Sequence, residues 1–340
     1  MREGLNNPSF FLCIFVTKYL QMINSVRNTV LSILNKNNYG YISPADFNLY
    51  AKQAQLDIFE DYFFQYNYQI NKENARQSGT GYADITKGYE EVINIFSETK
   101  FLLHNINNRF FTPSLTTTND NYYLLNKVLV YTRLLASGVN DNVLLQTLED
   151  STTDFVAAGV QVGDIVGNTT TNQTAIAVNV TPTIITLEDG NGNPADIFQN
   201  IGEGYVIYDD SVVTEAEKVT HSKITMLNNS LLTAPSTMFP AYTQQEPTLS
   251  LFPPSINTIG AVQCQYIRYP QDPKWTYVNL LGGEPSFDQS QPDFQDFELT
   301  ISDEPTLVLK ILQYAGMSIR EVAAVQFGQG LEQFEEQQER

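Results

Sequence analysis

Lysine and arginine are missing from an unbroken quarter of this chain: none occurs in the eighty-four residues from Leu134 to Glu217 of 340. Elsewhere the basic residues never cluster, so nothing in the sequence is built to read a nucleic-acid backbone. Histidine occurs twice, as His104 and His221, and cysteine twice, as Cys13 and Cys264. Two thiols make no disulfide framework, and with two distant histidines they give no zinc spacing. The redox compartment stays open, with a lean towards assembly in a reducing cytoplasm. No Gly-x-Ser-x-Gly elbow occurs, neither cysteine lies beside a partner motif, and Gly79-Thr-Gly81 lacks both a preceding strand and a third glycine. Nucleophilic catalysis and nucleotide binding therefore have no support, and the expectation is a non-enzyme without cofactor or metal. The only long apolar run, Phe10–Val16, is far shorter than the ~20 residues of a membrane span. It also lacks the cleavage site of a signal peptide. Met22 opens a clean amphipathic pattern, so residues 1–21 are read as a non-native extension, with translation starting at Met22.

What is present is acid. The stretch from Leu134 to Glu217 holds thirteen carboxylates, against a net charge of −19 for the whole chain. Its other residues are mainly Thr, Val, Ile, Asn and Gly, the composition of short strands and turns. A surface of one sign repels phosphate at close range. Tyr and Phe are abundant, at 19 and 20. An aromatic, Lys-poor composition suits broad protein contacts, although an A/T-rich coding sequence also raises Tyr and Asn.

Length predicts about two domains. From Met22 to Leu34 the residues Ile23, Val26, Val30, Ile33 and Leu34 trace one helix face. A second helix opens at Ser43-Pro44 with Asp46 in its first turn, and its stripe runs through Phe47, Ala51, Ile58 and Tyr62. A third carries Ile85, Tyr89, Val92 and Phe96. Tyr122–Tyr131 reads as a strand leading into the acidic module. Inside the module, 155–160, 164–166, 175–180, 184–187 and 205–208 read as five strands of a small β-barrel or β-sandwich. Between Leu231 and Lys274 seven prolines interrupt the chain, which predicts an extended arm with one strand at Cys264–Tyr269. Asp303-Glu304-Pro305 starts a helix with Leu307, Val308, Ile311 and Leu312 on one face, ended by Gly316. Ser318-Ile-Arg-Glu321 opens a last one. The expected fold is thus α+β, a helical host domain (22–133 and 218–326) carrying an inserted acidic β-module (134–217). Residues 327–340 form a Gln/Glu-rich tail.

Two weaker signals sit in the module. Asp189-Gly-Asn-Gly-Asn193 starts like a calcium loop, but Pro194 and Asn200 stand where that loop needs glycine and a bidentate acid. A hairpin turn accounts for it as well. Acids are so numerous that a glycosidase-like pair is available anywhere, which is the reason to give it no weight.

Several phrases resemble structural proteins of crAss-like and related tailed bacteriophages. They are Asn24–Asn48, Tyr266–Trp275, Asp296–Leu299 and Glu304–Arg320. The resemblance covers about 22–130 and 215–325 and implies a head–tail connector, a ring protein of the virion neck assembled in the host cytoplasm. It implies partners too: copies of itself in a ring, the portal, and tail or further ring proteins. DNA would pass without specific binding, and no membrane is involved. On this reading Tyr266, Arg268, Tyr269, Trp275, Leu307, Ile311 and Ile319 are candidate contact residues. The alternative is a tail-tip or fibre module that binds a bacterial surface glycan through Tyr205, Tyr208, Asn191 and Asn193.

Overall fold

The computed structural model describes residues 22–35, 42–76 and 85–319. The readings of 1–21, of a last helix from Ser318 and of the 327–340 tail lie outside these residues, wholly or nearly so. Five helices are described: α1 (Met22–Asn35), α2 (Pro44–Arg76), α3 (Ile85–Asn94), α4 (His221–Asn228) and α5 (Glu304–Ile319). Two compact units divide the chain. One combines the residues up to Ile95 with those from Pro270 onward, and the other is Phe96–Tyr269.

In the first unit α1 and α2 both pack on α5, and α3 packs on α2. The stripes seen in the sequence are the buried faces: Ile23, Val26 and Val30 on α1, Phe47, Ala51 and Ile58 on α2, Leu307 and Ile311 on α5. Ser43 caps α2, its Oγ accepting from the Asp46 N–H at 3.1 Å. The start of α1 is capped from far away in sequence. The Asp296 carboxylate accepts the N–H groups of Met22 (3.0 Å) and Ile23 (2.8 Å). Trp275, 2 % exposed, is fixed in the same manner. Its backbone exchanges hydrogen bonds with the Asn48 side chain, and its indole Nε1–H donates to Asn24 at 3.2 Å. Arg27 lies 3.8 Å over the Trp275 ring, close enough for a cation–π contact. A small hairpin, β16 (Tyr277–Asn279) with β17 (Pro285–Phe287), stacks Tyr277 and Phe287 on the same ring.

The second unit is three sheets. In the first, β15 (Val262–Arg268) lies between β1 (Ser97–Phe101) and β4 (Tyr122–Tyr131), with β11 (Val213–Glu215) beyond β4. The second has six antiparallel strands in the order β5 (Leu134–Val139), β10 (Gly204–Tyr208), β7 (Ile165–Asn168), β8 (Gln173–Val180), β9 (Ile184–Glu188) and β6 (Thr147–Glu149). The third runs β12 (Glu217–Lys218), β13 (Ala241–Gln245), β14 (Thr248–Phe252), β3 (Arg109–Phe111) and β2 (His104–Ile106). None of the sheets closes into a barrel.

The fold is mixed α+β, and several expectations change in detail. Most of the acidic stretch forms the six-stranded sheet, but its last part supplies β11 and the start of β12 to the other two, and the compact unit is wider, 96–269 rather than 134–217. Strand β10 shows why. Its alternate residues Tyr205 and Ile207 enter one core, while Val206 and Tyr208 enter another, shared with Val128, Cys264 and Leu251. A sheet buried on both faces cannot separate from its neighbours. Residues 155–160 form a turn, because Asp154 caps it through the Ala157 N–H (3.0 Å) and Gly159 adopts φ +88°. The proline-rich stretch is no free arm. Its prolines bracket β13 and β14, which pair with each other, and β14 pairs onward with β3. Gly316 does not end α5, which continues to Ile319; one helical glycine costs only about 1 kcal/mol.

Candidate interaction surface

Of the contact residues expected from the sequence, Tyr266, Trp275, Leu307 and Ile311 belong to the core. Their apolar character serves the fold, because large apolar and aromatic side chains are the most valuable to bury. Tyr266 Oη donates to Asp120 at 3.2 Å. The Arg268 guanidinium lies 3.5 Å from Glu98 and is largely covered. Tyr269 remains exposed and meets Tyr123 edge to face. Ile319 is the last described residue of α5, and its side chain falls outside the described set. The expected glycan platform is dismantled, since Tyr205 and Tyr208 are 1 % and 7 % exposed. Asn191 and Asn193 are exposed in a turn whose Asp189 carboxylate accepts both of their backbone N–H groups at 2.8 Å. That turn uses the Asp189 oxygens internally. Among the described residues no group of three or more His, Cys, Asp or Glu side chains is arranged to hold a metal.

Two other surfaces stand out, both apolar and both on loops that make hydrogen bonds of their own. The first lies at one end of the six-stranded sheet, where Leu144, Leu145 and Ile201 are exposed, Leu145 to 78 %. Beneath it is a buried polar lock. The Asn140 side-chain amide donates to the carbonyls of Asn142 (3.3 Å) and Asn200 (2.9 Å), holding the two loops side by side. Its Oδ1 accepts the Glu203 N–H at 2.7 Å. The Glu203 carboxylate accepts from the side chains of Asn200 (2.9 Å) and Asn168 (2.8 Å) and from the Gln199 N–H. Burial works against the Glu203 charge, yet these donors outweigh it and keep its pKa below the usual glutamate value. Asn168 completes the lock by accepting the N–H groups of Thr170 and Thr171. Every member is paired, so the network holds its loops in one geometry. Gln146, at φ +62°, closes the Leu144–Leu145 turn.

A second lock stands nearby. Asp150 accepts from Thr152 N–H (2.8 Å), Thr152 Oγ1 (2.6 Å), Thr153 Oγ1 (2.9 Å) and Tyr205 Oη (2.6 Å). Burial raises its pKa, but these four donors dominate and bring it to about 2. With Asp164 and Glu203, it is one of three buried acids in the acidic stretch.

The second surface follows α4. Thr220 caps the helix, and Ile224 packs with Val219 and Ala241 at its base. Beyond it, Ser230 accepts the N–H groups of Thr233 and Ala234, and Ser236 and Phe239 exchange backbone hydrogen bonds. These backbone hydrogen bonds shape the segment, while Leu231, Leu232 and Phe239 are exposed to 102 %, 97 % and 80 %. What both surfaces offer is contact area rather than a reacting group. The sequence signal for them was a short apolar run flanked by polar residues, Asn142-Val-Leu-Leu-Gln146 and Asn229-Ser-Leu-Leu-Thr233.

No helix among the described residues is long and apolar enough to cross a membrane. Compared with known proteins, the chain matches no family model and no curated sequence.

Proposed function

We propose that this chain is a structural subunit of a tailed-phage virion, forming a ring in the neck between portal and tail. The observation that carries the reading is the pair of exposed apolar surfaces on a chain of net charge −19. Loops presenting exposed leucines suit assembly, since contiguous exposed apolar residues mark interaction sites. The acidic balance suits a protein that stands beside passing DNA without retaining it. The phage-like phrases support the reading from a second direction. Asn24, Asn48, Trp275, Asp296 and α5, which lie in those phrases, are the joints that tie the first unit together.

Immunogold electron microscopy of the virus fraction, with antibody against the chain, tests the assignment. Label confined to the head–tail junction is the expected result. Label at the tail tip or fibres would transfer the chain to host recognition, and particles without label would remove it from the virion.

A further inference from the structure

The turn after β9 gathers the two dipeptides in which an Asp or Asn precedes glycine, Asp189-Gly190 and Asn191-Gly192. No other Asp or Asn of the chain is followed by glycine. Glycine has no side chain to keep its backbone nitrogen away from the carbonyl carbon of the preceding side chain. Ring closure at Asn191 makes a bond from the Gly192 nitrogen to Asn191 Cγ and breaks the Cγ–Nδ2 bond, so the side-chain nitrogen leaves as ammonia. Water then opens the five-membered imide at either carbonyl, giving aspartate or isoaspartate.

The two dipeptides are not equally reactive. Asn191 and Gly192 are exposed, and the Asn191 side chain makes no hydrogen bond among the described residues. Asp189 is engaged: its Oδ1 accepts the N–H groups of Asn193 and Asn191 at 2.8 Å each, and its Oδ2 accepts from Asn193 Nδ2 at 3.2 Å. These donors, the Asn193 N–H foremost, hold its pKa below the usual aspartate value, so it stays a carboxylate without a good leaving group. The same turn restrains Asn191. The Gly192 N–H donates to the Asp189 carbonyl at 3.1 Å, and the Asp189 N–H to the Asn193 carbonyl at 2.7 Å. The attacking nitrogen is released only when the turn opens.

We propose that Asn191 is the site at which this chain spontaneously deamidates, and that the Asp189 carboxylate sets the rate by keeping the turn closed. The product adds a negative charge to a turn that already holds Asp189, and isoaspartate also lengthens the backbone there by one atom. The reaction needs no partner and is independent of the neck assignment.

The test ages the full chain in mildly alkaline buffer and maps its peptides by mass spectrometry, with chromatography separating aspartyl from isoaspartyl products. Asn191 is expected to convert first, with isoaspartate among the products, and Asn191→Gln to abolish that conversion. Asp189→Ala should speed it about tenfold while thermal melting shows the fold intact. Wild-type chain unfolded in urea supplies the same comparison without a variant, and should convert Asn191 faster than folded chain. Conversion of another asparagine ahead of Asn191 overturns the site. Equal rates in wild type and Asp189→Ala, or in folded and unfolded chain, overturn the restraint.

Discussion

Tyr205 and Asp150 lie fifty-five residues apart in sequence, and the Tyr205 hydroxyl donates to the Asp150 carboxylate at 2.6 Å inside the acidic sheet. The pair joins β10 to the turn after β6 and turns an acid of the most acidic stretch into a structural group. Burial pushes the Tyr205 pKa well up, so its proton stays on the phenol and remains available as donor.

Acid should unlock this pair. The folded Asp150 pKa of about 2 lies below the ordinary aspartate value, so its contribution is complete above about pH 4. It is lost as the pH falls from there towards 2, amounting to roughly 2 kcal/mol. Denaturant titrations at pH 7 and pH 2.5 should show Asp150→Asn less stable than wild type at pH 7. The gap should narrow by about that amount at the lower pH. Parallel losses in the two proteins would show that Asp150 is not the titrating group.

Gly138 should resist substitution. A Cβ there would sit 2.7 Å from Tyr205 Oη and 3.0 Å from Asp150 Oδ2. Gly138→Ala is expected to cost about 1–3 kcal/mol by crowding the pair. In a Tyr205→Phe background the hydroxyl is gone and the alanine should cost less, a non-additivity that a double-mutant cycle measures. Strict additivity would place the strain elsewhere.

Asp296 should anchor α1. Removing its carboxylate leaves the N–H groups of Met22, Ile23 and Phe297 without that acceptor. Asp296→Ala is expected to cost about 1–2 kcal/mol, as for other lost helix caps, and Asp296→Asn to recover part of it. Equal loss in both variants would point to packing rather than capping.

Trp275 is the only tryptophan, so its fluorescence reports the first unit directly. Trp275→Ala should destabilise by about 3–5 kcal/mol through loss of a fully packed side chain. Trp275→Phe should cost less, since it keeps the stacking and loses the indole donor to Asn24. A near-neutral alanine variant, read by circular dichroism, would contradict the packing.

Duplex DNA should not bind. At low salt, where phosphate attraction is strongest, a fluorescence-anisotropy titration is expected to stay flat, given the −19 net charge. Saturable binding that weakens as salt rises would reveal a basic surface hidden by the totals.

The helices were legible because their signal is local. Ile23, Val26 and Val30, or Leu307 and Ile311, recur at the helical period, and that period alone selects the buried face. Helix α2 runs on past the last residue of its apolar stripe, Tyr62, since no glycine or proline interrupts the chain before Arg76. The strands β7 to β10 were found at nearly their observed places. Strand β5 was missed because Leu134-Leu-Ala-Ser-Gly-Val139 holds a single β-branched residue, and β6 because it is only three residues long. Aromatic content misled the choice of contact residues: Tyr266 and Trp275 look like interface residues from sequence and serve as core. An interface core and a protein core use the same side chains, so composition cannot distinguish them.

The sequence by itself determined charge, the helix faces and the β-rich character of the acidic stretch, because each follows from residue type and local spacing. Tertiary structure alone decided which acids are buried and which leucines face outward. Asp150 and Glu203 are folded into hydrogen-bonded locks by Tyr205, Asn168 and Asn200, while Leu145 and Leu231 are left in solvent. A side chain's worth depends on the partners that distant segments bring to it, and sequence spacing does not encode those partners.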